Sequence, residues 1–144
     1  MQPQIIQYWE YQMRFVLFLC ALAFSTSANA DGYGFMTPSG NIYCNGSIEG
    51  GISCTIVSKN GTAPAPRPQS CGAYWGHTFA LDNRGPARLL CDNSPEQVDY
   101  SDIASYGLTG EFGAITCKSE RTGLTCRNKS GHGFFLSRRK QSLF

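Results

Sequence analysis

His77 and His132 are the two imidazoles available for acid–base chemistry in this chain of 144 residues. His132 is flanked by Gly131 and Gly133, which let a backbone approach a ligand closely. A small secreted phosphodiesterase needs a histidine, a carboxylate and an arginine converging on one phosphate. His132, with Glu111 or Glu120 and with Arg138, supplies those residue types. Nothing in their spacing forces them together, and a tight turn or bulge accounts for the glycines equally well. His77 shares the alternation parity of Trp75, Phe79 and Leu81, which puts it on or beside the buried face of a strand as a packed or edge histidine. No G-x-S-x-G motif occurs, and no serine is tied to a histidine by a motif. No catalytic residue is therefore assigned.

Sulfur is the stronger signal. Residues 15–24 read FVLFLCALAF, an apolar run preceded by Arg14 and followed by Ala28-Asn29-Ala30. That order is a charged region, a hydrophobic region and a small-residue cleavage site. The run is shorter than the roughly 20 residues that a membrane span needs. A signal-peptide helix over 1–30, cleaved after Ala30, is expected, with Met13 as an alternative start because 1–12 carry no basic residue. Cys20 follows Phe18 and Leu19, too bulky for lipoprotein processing. The other six of the seven cysteines are Cys44, Cys54, Cys71, Cys91, Cys117 and Cys126. An even count in an exported chain implies disulfides and a secreted or periplasmic location. No C-x-x-C pair occurs, neither histidine stands at ligand spacing from a cysteine pair, and the acids of 92–102 do not follow a calcium-loop pattern. Neither a metal nor a cofactor is expected.

The elements that must position these residues show themselves as a repeat. Gly40-Asn-Ile42-Tyr-Cys44 followed by Gly51-Ile52-Ser-Cys54 matches Gly113-Ala-Ile115-Thr-Cys117 followed by Gly123-Leu124-Thr-Cys126. Period-two alternation with glycine-containing turns between is the pattern of a β-hairpin. Placing Cys44 opposite Cys54 sets Ile42 opposite Ile56, on the same side as the bridge, and this agreement predicts the pairs Cys44–Cys54 and Cys117–Cys126. Cys71 then pairs with Cys91 by elimination. There the register is less clean: folding strands 74–81 and 87–91 about the turn 82–85 brings Cys91 near Gly76, so this bridge runs diagonally or reaches from a loop. Residues 62–68 hold three prolines and read as an extended spacer without ladder donors. Residues 103–106 suggest a short helical turn or strand, and 131–136 a strand.

No amphipathic helix appears after Ala30, and with charged residues at 15% and apolar residues at 42% the chain has enough apolar material for a core, which excludes a disordered class. The expected fold is all-β: a single small disulfide-stapled antiparallel β domain over 31–144, with about six or seven short strands in a hairpin meander, sandwich or small barrel.

Charge is uneven along that domain. Five acids (Asp92, Glu96, Asp99, Asp102, Glu111) and no Lys or Arg lie over 89–117, whereas seven bases against Glu120 alone lie over 118–140. Such asymmetry marks a basic face for an anionic partner, or else acidic and basic segments that neutralise each other, or a protected strand edge. The candidate ligand surface is His132 and Phe134 with the basic segment Arg138, Arg139 and Lys140. Asn45-Gly-Ser47, Asn60-Gly-Thr62 and Asn128-Lys-Ser130 match the N-glycosylation triplet, which matters only in a eukaryotic secretory pathway.

The motifs Phe35-Met-Thr-Pro38-Ser-Gly40-Asn-Ile42-Tyr-Cys44, Cys71 with Trp75-Gly76, Tyr106-Gly107, Gly123-Leu-Thr-Cys126-Arg-Asn128 and Gly131-His-Gly133-Phe134, in that order, resemble the DUF6636 family of small secreted bacterial proteins. The resemblance covers essentially the whole of 34–144. It implies a bacterial exported protein and a three-bridge β fold, and it brings no activity. Three readings follow: a non-enzymatic exported binding or structural module, a secreted inhibitor of a host or competitor enzyme such as lysozyme, and a small ribonuclease-like hydrolase. No transmembrane anchor is expected in any of them.

Overall fold

Alternation of buried and open positions builds the two clamped hairpins, β2 (Ile42–Ser47) with β3 (Ile52–Ile56) and β7 (Ile115–Glu120) with β8 (Gly123–Asn128). In the computed structural model the residues described are 32–91, 95, 100 and 102–144. The expected signal peptide with Cys20 and its cleavage site, and the acids Asp92, Glu96 and Asp99, lie outside them. Cys44 stands opposite Cys54 and Ile42 opposite Ile56, and Cys117 stands opposite Cys126. The Cα atoms of the two cysteine pairs are 4.0 and 4.1 Å apart. That is nearer the roughly 4.5 Å of the narrow, non-hydrogen-bonded pair of an antiparallel ladder than the roughly 5.5 Å of the wide one.

Each hairpin is the centre of a five-stranded antiparallel meander. The first sheet adds β1 (Gly32–Met36), β4 (Thr78–Leu81) and β5 (Arg88–Leu90), in the order β1-β2-β3-β4-β5. The second adds β6 (Thr109–Phe112), β9 (Gly133–Leu136) and β10 (Gln141–Leu143), in the order β10-β9-β8-β7-β6. The fold is all-β as expected, with no helix among the described residues. Among the described residues there are ten strands rather than six or seven, because the edge strands are short and each sends only one or two side chains inward. The segment 103–106 contributes a single parallel bridge, Met36 to Ile103.

The two sheets share one core, in which Phe79, Ile56, Leu81, Ile115, Leu124, Phe134 and Leu136 are fully or almost fully buried. Its registers repeat from one sheet to the other. Cys54 pairs with Phe79 as Cys126 pairs with Phe134, and Ile52 with Leu81 as Leu124 with Leu136. The duplication read in the hairpins thus extends to the fourth strand of each sheet, and the order of all five strands is the same in both. It includes a second motif, Gly76-His77-Thr-Phe79-Ala-Leu81 against Gly131-His132-Gly-Phe134-Phe-Leu136.

Cys71 bonds to Cys91, and it does so from a loop: its backbone N–H donates to Pro68 O at 3.0 Å. Thr78 pairs with Leu90, which sets Cys91 opposite His77, one residue from the position expected. The strand read over 74–81 is shorter, starting at Thr78, because Gly76 takes φ 91° and turn bonds occupy Trp75 and His77.

Antiparallel connections leave each sheet with turns at both ends. At one end, hereafter the Asn83 end, the turns 48–51, 82–87, 113–114 and 129–132 are joined by side-chain amides. Asn83 Nδ2 donates to Glu49 O at 2.9 Å and its Oδ1 accepts from Ala114 N at 2.8 Å. Asn128, 3% exposed, donates to Asp82 O and Gly85 O at 3.0 and 2.8 Å, and its Oδ1 accepts from Ser130 Oγ and His132 N. Gly50 (φ 118°) and Gly113 (φ 61°) press their backbones against the Asn83 amide, where a Cβ on either would collide with it. Removing one partner from a buried hydrogen-bonded set leaves the others desolvated, at about 1–3 kcal/mol for a group left without a partner. Asn128→Ala should therefore cost about 2–3 kcal/mol in urea denaturation. A midpoint equal to that of the parent would show that the amide does not hold this end together.

Candidate functional site

The histidines take equivalent places in the two halves. Ile56 N donates to His77 O and Asn128 N to His132 O, each at 2.9 Å, and the preceding glycines have φ 91° and 89°. The Gly-His pair is thus a repeated corner leading into the fourth strand of each sheet, which explains the glycines by turn geometry. His77 is half-buried, with Nδ1 2.7 Å from Ile56 O and its ring edge-on to Tyr74. A carbonyl can only accept, so Nδ1 carries a proton. This is the packed edge histidine that its parity suggested.

The registers keep His132 apart from the carboxylates named with it. Glu111 pairs with Thr116, Thr116 with Arg127, and Arg127 with Gly133, so Glu111 lies three strand spacings, roughly 14 Å, across the sheet. Glu120 pairs with Gly123, and Arg138 follows the far end of β9, so both lie at the end opposite the His132 turn. No phosphate can meet all three groups. His132 is likewise separated from Arg138, Arg139 and Lys140. Phe134, placed with them on the candidate surface, is fully buried with its ring centroid 5.8 Å from that of Phe79. Parity decides this: Phe134 stands beside Cys126, whose side chain faces the core.

What the fold does assemble is a basic end. The turns opposite the Asn83 end, hereafter the Thr37 end, are 37–41, 57–77, 121–122 and 137–140. They carry Lys59, Arg67, Arg121, Arg138, Arg139 and Lys140. Asn60 N donates to Arg138 O at 2.8 Å and so fixes the 57–77 loop against the 137–140 turn. Among the described residues, the carboxylates on this side are Glu120, ion-paired to Lys118 at 3.0 Å, and Asp102 beside Met36 on the β1 edge. None of the six bases has a carboxylate partner within ion-pair distance among the described residues. Arg121 instead lies over the Tyr106 ring, 5.1 Å from its centroid.

Among the described residues, a small cavity and a wider depression open on this end. A cavity of about 200 Å³ lies between the 37–41, 121–122 and 137–140 turns, with Ser39, Tyr106, Glu120, Arg121, Thr122 and Arg138 in its wall. A wider, open depression of about 620 Å³ surrounds Trp75, bordered by Lys59 and Arg67. Trp75 Nε1 donates to Ala65 O at 3.0 Å, which fastens the proline-rich spacer to the edge of the indole. A third depression of about 160 Å³, between Phe35, Leu108, Phe112 and Leu124, is almost wholly apolar. Among the described residues, no group of three or more histidine, cysteine or acidic side chains is placed to hold a metal ion. No helix among them is long and apolar enough to cross a membrane. Three disulfides fit an oxidising compartment.

Of the residues expected at the site, Arg138, Arg139 and Lys140 lie here, whereas His132 and Phe134 do not. Lys59, Arg67, Trp75 and Arg121 were not anticipated. The signal that would have found Arg121 is the β7–β8 hairpin itself, which returns its turn to the end where β9 finishes. A family model described as a family of unknown function, DUF6636, matches residues 15–144. No curated protein and no solved structure matches.

Proposed function

Because the chain belongs to DUF6636, a family of unknown function, its role has to be read from its own surfaces, and we propose that it is an exported, non-enzymatic binding module that takes an anionic ligand at the Thr37 end. The observation that carries this reading is the convergence of Lys59, Arg67, Arg121, Arg138, Arg139 and Lys140 from four separate turns onto one end, none with a carboxylate partner among the described residues. Clustered cations raise the local concentration of an anionic partner and speed its encounter. Disulfide-braced strands hold the presenting turns in fixed positions, so less ordering entropy is lost on binding.

Export is part of the same reading. The apolar run 15–24 and Ala28-Asn29-Ala30 direct cleavage after Ala30, releasing 31–144 as one disulfide-stapled domain to the periplasm or the exterior. The separation of His132 from Glu111, Glu120 and Arg138 argues against the ribonuclease-like reading.

Retention on immobilised heparin tests the binding surface. The oxidised protein should be held at low salt and released by about 0.5 M salt, where the Debye length has fallen to a few ångströms. Replacing Arg138, Arg139 and Lys140 together by serine should move release to distinctly lower salt. Elution of the triple variant with the parent would overturn the proposal.

A further inference from the structure

The duplication lets each end of the molecule serve as a reference for the other. Leu81 and Leu136 hold the same register, so Asn83 and Arg138, each two residues further on, are equivalent positions. At the Asn83 end that residue ties its own turn to 48–51 and to 113–114 through both polar atoms of its amide. At the Thr37 end the equivalent turns are 137–140, 121–122 and 37–41. No hydrogen bond or ion pair joins these three among the described residues. The Arg138 side chain is exposed and makes no hydrogen bond to either neighbouring turn; among the described residues the 37–41 and 137–140 turns are tied only through the 57–77 loop, by Asn41 to Ser58 and by Asn60 to Arg138, and the 200 Å³ cavity lies between the three turns.

Resting on the reading of this end as an anion-binding surface, we propose that the cavity is a subsite for one acidic sugar residue of a longer glycan, its carboxylate held by Arg138 and Arg121. Size, polarity and continuity each bear on that choice. A cavity of about 200 Å³ is smaller than the roughly 300–1,000 Å³ of sites for drug-sized ligands and suits a single ring. Its wall mixes two guanidinium donors with hydroxyls from Ser39, Thr122 and Tyr106 and with the Glu120 carboxylate. A bare phosphate has no use for a carboxylate acceptor beside it, whereas the hydroxyls of a sugar donate to one. The neighbouring Trp75 depression, with Lys59 and Arg67 at its border, lies across the Asn60–Arg138 contact. It gives the next residues of a chain an indole and further cations.

The test measures binding of a galacturonic acid oligosaccharide to the full oxidised protein by calorimetry at constant ionic strength. A neutral oligosaccharide of the same length and inorganic phosphate serve as controls. Thr122→Trp fills the cavity from an exposed turn without changing charge, and it should weaken oligosaccharide binding by about tenfold or more while leaving the salt of release from a sulfopropyl cation exchanger, which offers charge but no acidic sugar, unchanged. Arg138→Gln should also cost about tenfold or more, the worth of a charge-assisted hydrogen bond, whereas Arg139→Gln, outside the cavity, should cost less than threefold. Parent-like affinity of Thr122→Trp, equal losses in Arg138→Gln and Arg139→Gln, or full competition by phosphate would overturn the sugar subsite while leaving the basic surface standing. Loss of heparin retention by the parent itself would remove the surface as well.

Discussion

Replacing Cys44 and Cys54 by alanine should lower stability by about 3 kcal/mol, as should replacing Cys117 and Cys126, and removing both pairs should leave the chain unfolded at about 37 °C. The bridges close loops with sequence separations of 10 and 9. For loops of that length, the entropy withheld from the unfolded chain is worth roughly 3 kcal/mol each. All four half-cystines are buried at 3% exposure or less, so their loss also removes packed core atoms. Against a typical domain stability of about 5–15 kcal/mol, the two clamps together are a large share. The Cys71–Cys91 bridge differs in kind. It closes a separation of 20, but Cys91 is exposed and Cys71 sits in a loop, so its loss should free the 57–77 loop and leave the sheets paired. Urea titrations of the alanine variants separate these cases, and the parent in dithiothreitol gives the limit in which all three bridges are lost. A reduced protein that keeps the oxidised midpoint would show that the sheets do not depend on the clamps.

The hairpins were legible because two constraints coincide in them. Cysteine pairing fixes a register, and the register puts isoleucine opposite isoleucine on the same face, so either pattern alone predicts the other. Around Cys71 no such agreement exists, since a half-cystine in a turn carries no strand parity. The edges were harder for a related reason. β1, β6 and β10 each send inward chiefly one apolar side chain, Phe35, Phe112 and Leu143 respectively, and one residue makes no period. The motif G-H-x-F-x-L, present twice, would have extended the repeat to the fourth strand and set Phe134 beside a core cysteine.

The candidate end was only half legible, because a linear block of charge is divided by the strands running through it. The bases of 118–140 look continuous, yet β8 carries the chain the length of the sheet. Arg121 and 138–140 emerge at the Thr37 end, while Lys129 emerges at the Asn83 end, and Arg127 lies over the Phe144 ring near it. Conversely, Lys59 and Arg67 join Arg138 across some seventy positions of sequence. Their meeting depends on the 57–77 loop docking on the 137–140 turn, a contact made by backbone atoms that leaves no mark in residue type.

Phe134→Ala should cost about 3–5 kcal/mol, the range for removing a large buried aromatic ring, and Phe79→Ala should cost as much. Both rings are fully buried, stand beside the cross-strand disulfides of their own sheets, and meet tilted at 47°. They are the same residue of the duplicated unit, so the contact joins the two halves across the core. Because the rings line one another, deleting the second enlarges a cavity that the first deletion has opened. The double variant should therefore lose less than the sum of the single losses, with a coupling of about 0.5–1.5 kcal/mol for an aromatic pair. Phe134→Leu, which keeps most of the volume, should cost far less than Phe134→Ala. Had Phe134 belonged to a ligand surface, Phe134→Ala would change binding and spare the urea midpoint. Burial requires the opposite order, with a large drop in midpoint and, for whatever fraction remains folded, an unchanged salt of release from heparin.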